Sequence, residues 1–114
     1  LPYNAHTTSS DALQMGLPVL TCIGNSFTGR VAASLLGAVK LSELIVSSQE
    51  DYETMAIDLA TNPEKLNLLR DKLANNLKTT PLFNTSLFAT HLESAYLQMH
   101  QRYIDGKRPA EILV

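Results

Sequence analysis

A run of hydroxyl side chains lies directly before a short predicted helix near the start of the chain. Thr7, Thr8, Ser9 and Ser10 follow one another in the stretch AHTTSSDALQMGLP. The first turn of a helix leaves backbone N–H groups unpaired and carries partial positive charge, so a phosphate could bind there without a lysine. The alternative is an ordinary cap, the commoner arrangement, in which Thr8 begins the helix and Asp11 completes a Thr-x-x-Asp capping box.

Two neighbouring residues could extend such a phosphate site toward a sugar. Asp11 lies one turn inside the predicted helix, where a carboxylate can accept hydrogen bonds from ribose hydroxyls. His6 precedes the helix, where its ring could donate to a phosphate or a sugar hydroxyl. A lone histidine in a loop is more often a plain surface residue, so neither residue identifies a ligand by itself.

A second polar loop, GNSFTGR, spans residues 24–30 and follows the apolar run VLTCI. Open α/β sheets bind ligands beyond the carboxyl ends of their strands, so Ser26, Thr28 and Arg30 could meet a phosphate or a sugar there. The alternative is a plain turn in which Arg30 pairs with a carboxylate at the start of a helix.

Other reactive residue types form no recognisable site. His91 and His100 lack the i, i+4 spacing of a zinc-binding helix and have no neighbouring cysteine. Cys22 lies in an apolar run, where we expect a buried, inert thiol. The triplet NTS at residue 84 matches the N-glycosylation pattern but is interpreted as a helix cap. We therefore predict no metal site and no nucleophilic residue in this segment.

The composition is that of a small globular protein. The chain has 114 residues, of which 45% are hydrophobic, and a formal net charge of -2. Because Lys and Arg do not cluster, we predict no nucleic-acid partner and no membrane partner. A single cysteine cannot form an internal disulfide, which favours a reducing, cytoplasmic compartment. Because the chain starts on Leu1 and enters a motif-like segment at once, we expect a fragment of a longer protein.

The first half of the chain alternates helices with short strands. Gly16 and Pro18 end the first helix in the usual order of C-terminal stop residues. Short apolar runs rich in β-branched residues predict buried parallel strands. The predicted elements are a loop over residues 1–6, a helix over about 8–15, a strand over 19–23, a helix over about 30–38 and a strand over 43–47.

The second half contains only helices. Ser47 or Ser48 caps the first of them with an acidic residue three positions on, and Asn62 with Pro63 begins the next. One face of that helix carries apolar side chains at helical spacing, namely Leu66, Leu69, Leu73 and Leu77.

The last helix follows a break at Pro81 and is capped by Asn84 or Thr85. Gly106 and Pro109 end it. Its expected buried stripe consists of Phe88, Leu92, Ala95, Tyr96, Met99 and Tyr103.

This order of elements predicts an α/β fold with few short parallel strands and a helix-rich C-terminal half. Two strands alone would leave both sheet edges and much of both faces uncovered. We therefore expect either further strands from residues outside the chain or a homo-oligomer that forms through the open sheet edge or the long helices.

Several collinear blocks carry a resemblance to a known family. The blocks HTTSSDALQMGLPVLT, SFTGRVAASLL, ELIVSSQEDYETMAIDLATN, PLFNT and LESAYLQMHQRY span nearly the whole chain. In order and spacing they resemble the C-terminal end of the O-linked N-acetylglucosaminyltransferases with tetratricopeptide repeats and of their SPINDLY-type relatives. The resemblance implies a GT-B architecture, in which residues 1–114 form the C-terminal part of a Rossmann-like domain that binds the nucleotide-sugar.

The resemblance also implies roles for individual residues. His6, Thr7 and Thr8 would contact the diphosphate and sugar region of the donor, and Asp11 would bind the ribose. Ser26 and Arg30 remain possible donor-binding residues from the loop chemistry alone.

The implied reaction transfers N-acetylglucosamine from UDP-N-acetylglucosamine to Ser/Thr hydroxyls, with inversion and without a metal cofactor. The phosphate-binding lysine, the contacts to the base and the repeats that present acceptor proteins all lie outside this segment in the family. We therefore expect the segment alone to be inactive. Two alternatives stay open: a GDP-fucose-dependent O-fucosyltransferase, and a non-catalytic binding or scaffolding module with a degenerate nucleotide site.

Overall fold

Two short parallel strands and five α-helices make up the described part of the chain. The computed structural model describes residues 3–114, so the first two residues of the predicted loop lie outside it. The chain divides into two units, residues 1–83 and 84–114. The elements are α1 (Thr7–Gln14), β1 (Thr21–Cys22), α2 (Val31–Ala38), β2 (Ile45–Val46), α3 (Gln49–Thr61), α4 (Pro63–Thr79) and α5 (Thr85–Ile104), with 3₁₀ turns at Ser42–Leu44 and Pro81–Phe83.

The predicted pair of parallel strands is confirmed, but each strand is shorter than expected. Thr21 pairs with Ile45 and Cys22 with Val46. One further bond, from the Ile23 N–H to the Val46 carbonyl at 2.8 Å, continues the ladder past β1. The start of the second predicted strand is instead the 3₁₀ turn at Ser42–Leu44. Apolar residues in a run indicate burial, whereas a β-strand also requires a hydrogen-bonded residue on the neighbouring strand at each position.

The core of the first unit lies where α1, α2, the 3₁₀ turn before β2 and α4 meet. Its buried residues are Leu13, Leu36, Val39, Leu41, Leu44 and Leu73. The predicted apolar face of α4 is confirmed, since Leu73 is fully buried and Leu69 and Leu77 pack against the same cluster. Burial of a leucine side chain stabilises a fold by about 1.5–3 kcal/mol, so this cluster anchors the short helices that surround it.

Two helices of the first unit end in the same hydrogen-bonded motif. At the end of α1, Gly16 has φ +80°, and the Gly16 and Leu17 N–H groups donate to the Leu13 and Ala12 carbonyls. This Schellman motif confirms the predicted glycine stop. At the end of α2 the equivalent position is Lys40, which has φ +57°. There the Lys40 and Leu41 N–H groups donate to the Gly37 and Leu36 carbonyls.

The caps of α3 and α5 follow the predictions. Ser48 accepts a hydrogen bond from the Asp51 N–H at 3.0 Å and donates to the Asp51 carboxylate at 2.7 Å. Asn84 accepts from the Leu87 N–H at 3.0 Å. Asn62 precedes Pro63 as predicted, but its side chain donates to the Asp58 carboxylate instead of capping α4.

The prediction of a buried stripe on α5 is wrong for this chain. Phe88 is 64% exposed and Tyr103 is 83% exposed, and no residue of α5 is buried. Within residues 84–114, one helix and the tail that follows it do not offer enough surface to cover a stripe along 20 helical residues.

Among the helices described between residues 3 and 114, none combines the length and apolar character needed to cross a membrane.

Lys40→Gly is expected to raise the free energy of unfolding by about 0.5–1 kcal/mol, because glycine adopts a left-handed backbone without steric cost. Urea denaturation followed by circular dichroism measures the change. Lys78→Gly is the matched control: Lys78 lies inside α4 with an exposed side chain, so the same substitution should lower stability by up to about 1 kcal/mol. A loss of stability in both variants would contradict this account of Lys40.

An ion pair between Glu43 and Lys72 links the 3₁₀ turn before β2 to α4. Burial by itself would raise the pKa of Glu43, but the hydrogen bond from Lys72, a backbone hydrogen bond and the charge of Lys72 together outweigh it and hold the pKa below its ordinary value. A carboxyl group whose pKa is lowered by folding stabilises the protein above its unfolded pKa. That contribution is lost as the pH falls through the folded pKa.

Glu43→Gln should therefore destabilise the protein near neutral pH, and its difference from the unmutated protein should shrink as the pH falls below about 4. Both side chains are more than 40% exposed, so the effect should stay below about 1 kcal/mol. Urea denaturation at several pH values measures it, with Glu93→Gln on α5 as a control for an exposed glutamate. A difference that grows toward acid pH would disprove the assignment.

Candidate functional site

Helix α1 begins two residues earlier than the capping-box interpretation requires. His6 occupies the N-cap position and its side chain caps no N–H group. The first intrahelical bond runs from the Ser10 N–H to the His6 carbonyl at 3.1 Å. Thr8 is thus the second helical residue, so the prediction that Thr8 caps the helix with Asp11 is wrong. The N–H groups of the first turn, at residues 7–9, have no acceptor within the helix.

The polar side chains of α1 divide between two faces. Ser9 is 3% exposed and lies above the fully buried Leu13 on the inner face. Thr7, Thr8 and Asp11 are exposed. Because residues three and four apart in a helix are neighbours, Asp11 shares one solvent-facing surface with Thr7 and Thr8. The helix therefore presents two hydroxyls and one carboxylate on one side, next to the backbone donors at its amino end.

The imidazole of His6 lies between two aromatic rings. It stacks on Tyr3 with ring centroids 5.1 Å apart and an interplanar angle of 12°. It meets Phe27 edge-on, at 6.1 Å and 85°. Its Nε2 atom is buried and has no hydrogen-bond partner among the described residues. The ring orientation therefore depends on the two aromatic contacts.

The loop after β1 is closed by bonds between its own residues. The Gly24 N–H donates to the Gly29 carbonyl at 2.7 Å, and the Ser26 hydroxyl accepts from the Gly29 N–H at 3.1 Å. The Arg30 guanidinium donates to the Gly24 carbonyl at 3.3 Å. The predicted alternative, Arg30 paired with a carboxylate, is thus wrong in the described part of the chain, since Arg30 joins none of its ion pairs.

The structure brings the loop and the start of α1 together at the carboxyl end of β1. The Asn4 N–H donates to the Thr28 carbonyl at 2.9 Å, and Phe27 reaches the His6 ring. This is the sheet edge at which open α/β folds bind ligands. Sequence reasoning missed Tyr3 and Phe27. An aromatic residue inside the otherwise small and polar GNSFTG stretch was the one available signal.

The sequence model of glycosyl transferase family 41 matches residues 2–92. The chain belongs to this family. Family 41 membership confirms the resemblance on which the site residues were chosen. It leaves the role of each residue as a prediction.

Named relatives agree with this assignment. A probable UDP-N-acetylglucosamine–peptide N-acetylglucosaminyltransferase SPINDLY from Oryza sativa subsp. japonica is 38% identical over 109 residues, which cover 96% of this chain and 12% of the relative. The corresponding SEC protein of Arabidopsis thaliana is 38% identical over 112 residues, or 97% and 12%. The chain therefore spans about an eighth of these curated relatives.

A solved structure gives the same result for the fold. A Lys-to-Met mutant of the O-GlcNAc transferase of Thermobaculum terrenum superposes with a TM-score of 0.78 at 38% identity, covering 87% of this chain and 19% of the other. The predicted α/β fold, as part of a GT-B glycosyltransferase, is confirmed by this match.

Gly24→Ala is expected to loosen the loop and lower the free energy of unfolding by about 1 kcal/mol. A Cβ at this position would lie 3.3 Å from the Gly29 Cα, which is held by hydrogen bonds. Gly37→Ala in α2 is the matched control, because its Cβ would meet nothing within 4 Å; it should stabilise the helix by about 0.4–1 kcal/mol. Thermal denaturation measures the stability of both variants. Unchanged stability of Gly24→Ala would contradict the prediction and show that the loop backbone moves to accommodate the Cβ.

Proposed function

We propose that this chain supplies the distal part of the donor site of a protein O-glycosyltransferase. The reaction transfers N-acetylglucosamine from UDP-N-acetylglucosamine to Ser/Thr hydroxyls of proteins. The observation that carries the proposal is the amino end of α1, where the exposed Thr7, Thr8 and Asp11 side chains lie beside backbone N–H groups that have no acceptor within the helix. Membership of family 41 and the names of its relatives support the choice of reaction.

The donor diphosphate fits the first turn of α1. Backbone N–H groups at residues 7–9 point along the helix axis, and the Thr7 and Thr8 hydroxyls add donors beside them. Negative charge grows on the diphosphate as it leaves the anomeric carbon. Fixed donors at this position therefore stabilise the transition state more than the bound donor. These groups act on the diphosphate without requiring a metal ion.

The ribose fits Asp11. Its carboxylate is exposed, makes no hydrogen bond with the described residues, and lies one turn along the helix from the diphosphate position. A carboxylate there accepts hydrogen bonds from vicinal hydroxyls. We propose that His6, which borders the same turn, donates to the diphosphate or the sugar through Nδ1, since its Nε2 atom is buried.

The loop after β1 has a smaller part in the proposed site. The Ser26 hydroxyl is engaged within the loop, so it would have to give up those bonds to reach a donor. Arg30 commits one of its five N–H donors to Gly24. We propose Arg30 as the better of the two for a contact with the donor.

The rest of the reaction requires residues of a longer polypeptide. We propose that the base-binding contacts, the proton-transfer groups and a tetratricopeptide repeat region for acceptor proteins precede this chain, which covers 12% of the length of these relatives. We also propose a cytoplasmic enzyme, which suits the free thiol of Cys22.

Asp11→Asn in the full-length protein is expected to weaken UDP binding by about tenfold or more, because a hydrogen bond to a charged acceptor contributes about 1.5–3 kcal/mol. Isothermal titration calorimetry measures the Kd. Asp71→Asn is the matched control, since Asp71 is also exposed on a helix and unpaired in the described structure; it should leave the Kd unchanged.

The same titration with GDP tests the donor class. Tighter binding of GDP than of UDP would replace the proposed donor with a guanosine nucleotide-sugar. Failure to bind either nucleotide would overturn the enzymatic assignment in favour of a scaffolding role.

A further inference from the structure

The loop after β1 contacts the turn before α1 at two points. One is the backbone hydrogen bond from the Asn4 N–H to the Thr28 carbonyl, at 2.9 Å. The other is the edge-on contact between the Phe27 and His6 rings, at 6.1 Å. The first contact sets the position of the backbone before α1. The contact with Phe27 acts on the His6 side chain, whose ring borders the proposed diphosphate position.

The His6 ring has few other restraints. It caps no N–H group of α1, and no hydrogen bond to it is found in the part of the chain that the structure describes. Tyr3 stacks on its face, which limits rotation of the imidazole about the Cβ–Cγ bond but still permits rotation about the Cα–Cβ bond, which slides the ring along Tyr3. A second aromatic ring placed edge-on opposes that movement. The stacked Tyr3 ring then restrains the plane of the imidazole, and the edge-on Phe27 ring restrains its position within that plane.

Phe27 has no evident role in the core. Its side chain is 80% exposed, and the loop that carries it is closed by hydrogen bonds of Gly24, Ser26 and Gly29 in which Phe27 takes no side-chain part. A large apolar side chain exposed to this degree contributes little to folding. Its only described ring contact is the one with His6.

We propose that Phe27 is a positioning residue for the donor site: its ring, together with Tyr3, fixes the imidazole of His6 in the orientation that meets the donor diphosphate. The inference rests on the proposed function for its ligand. Phe27 does not touch the reacting atoms. It acts through His6, so the loop after β1 adjusts the donor site from outside it.

Phe27→Ala in the full-length protein tests the inference. UDP binding measured by calorimetry should weaken about three- to tenfold, the range that corresponds to the loss of one aromatic pair. Phe27→Tyr retains the ring and should bind UDP within about twofold of the unmutated protein. Phe88→Ala is the matched control, because Phe88 is a comparably exposed phenylalanine on α5, in the other unit, and it should leave the Kd unchanged.

A second readout separates positioning from a general loss of structure. In NMR spectra of the chain, the His6 ring protons should shift in Phe27→Ala through loss of the ring current, while the amide signals of the core residues Leu36 and Leu73 stay in place. Phe27→Tyr should restore the His6 signals.

The outcomes are distinguishable. Unchanged UDP affinity in Phe27→Ala, or unmoved His6 ring signals, would overturn the inference and leave the proposed function standing. Failure of the unmutated protein to bind UDP would overturn the proposed function and the inference with it. Core amide shifts throughout Phe27→Ala would show a structural role for Phe27 and would also overturn the inference.

Discussion

The structure depends on one requirement of α1, a helix that must be buried along one face and open at its amino end. The free N–H groups of its first turn have no partner in the helix, and burying them unpaired would cost about 1–3 kcal/mol each. The fully buried Leu13 and the nearly buried Ser9 hold the opposite face against the core. The left-handed Gly16 then turns the chain away from the helix toward β1. The exposed face that carries Thr7, Thr8 and Asp11 is therefore a consequence of how the short helix is anchored.

Features governed by neighbouring residues were predictable from the sequence. Ser48 and Asn84 cap their helices and Gly16 ends α1, because each needs only residues within one turn to complete its hydrogen bonds. The leucine face of α4 was predictable because its period is that of the helix itself. The start of α1 was not, since four successive hydroxyl residues offer several equivalent caps and the structure uses none of their side chains.

Features that need a distant partner were only half predictable. The apolar period of α5 indicates that Phe88 and Tyr103 belong on one face, but a period does not specify what covers it, and within residues 84–114 nothing does. The strands show the same limit. Apolar runs in the sequence predicted where both strands lie, but their two-residue lengths depend on which residues pair with the neighbouring strand. In each case the sequence pattern records a preference for burial, while the extent of burial depends on surfaces that the pattern does not describe.

The candidate site combines both kinds of feature. His6, Thr7, Thr8 and Asp11 are close together in the chain, so their residue types and the family resemblance were enough to select them. Phe27 comes from a separate loop, which the hydrogen bond from the Asn4 N–H to the Thr28 carbonyl holds beside the start of α1, so that its ring reaches His6. A local motif thus supplies the residues of the proposed donor site, whereas a contact between separate segments supplies the aromatic ring beside His6. A substitution in the loop after β1 can therefore change the surroundings of His6 without altering any residue of the motif.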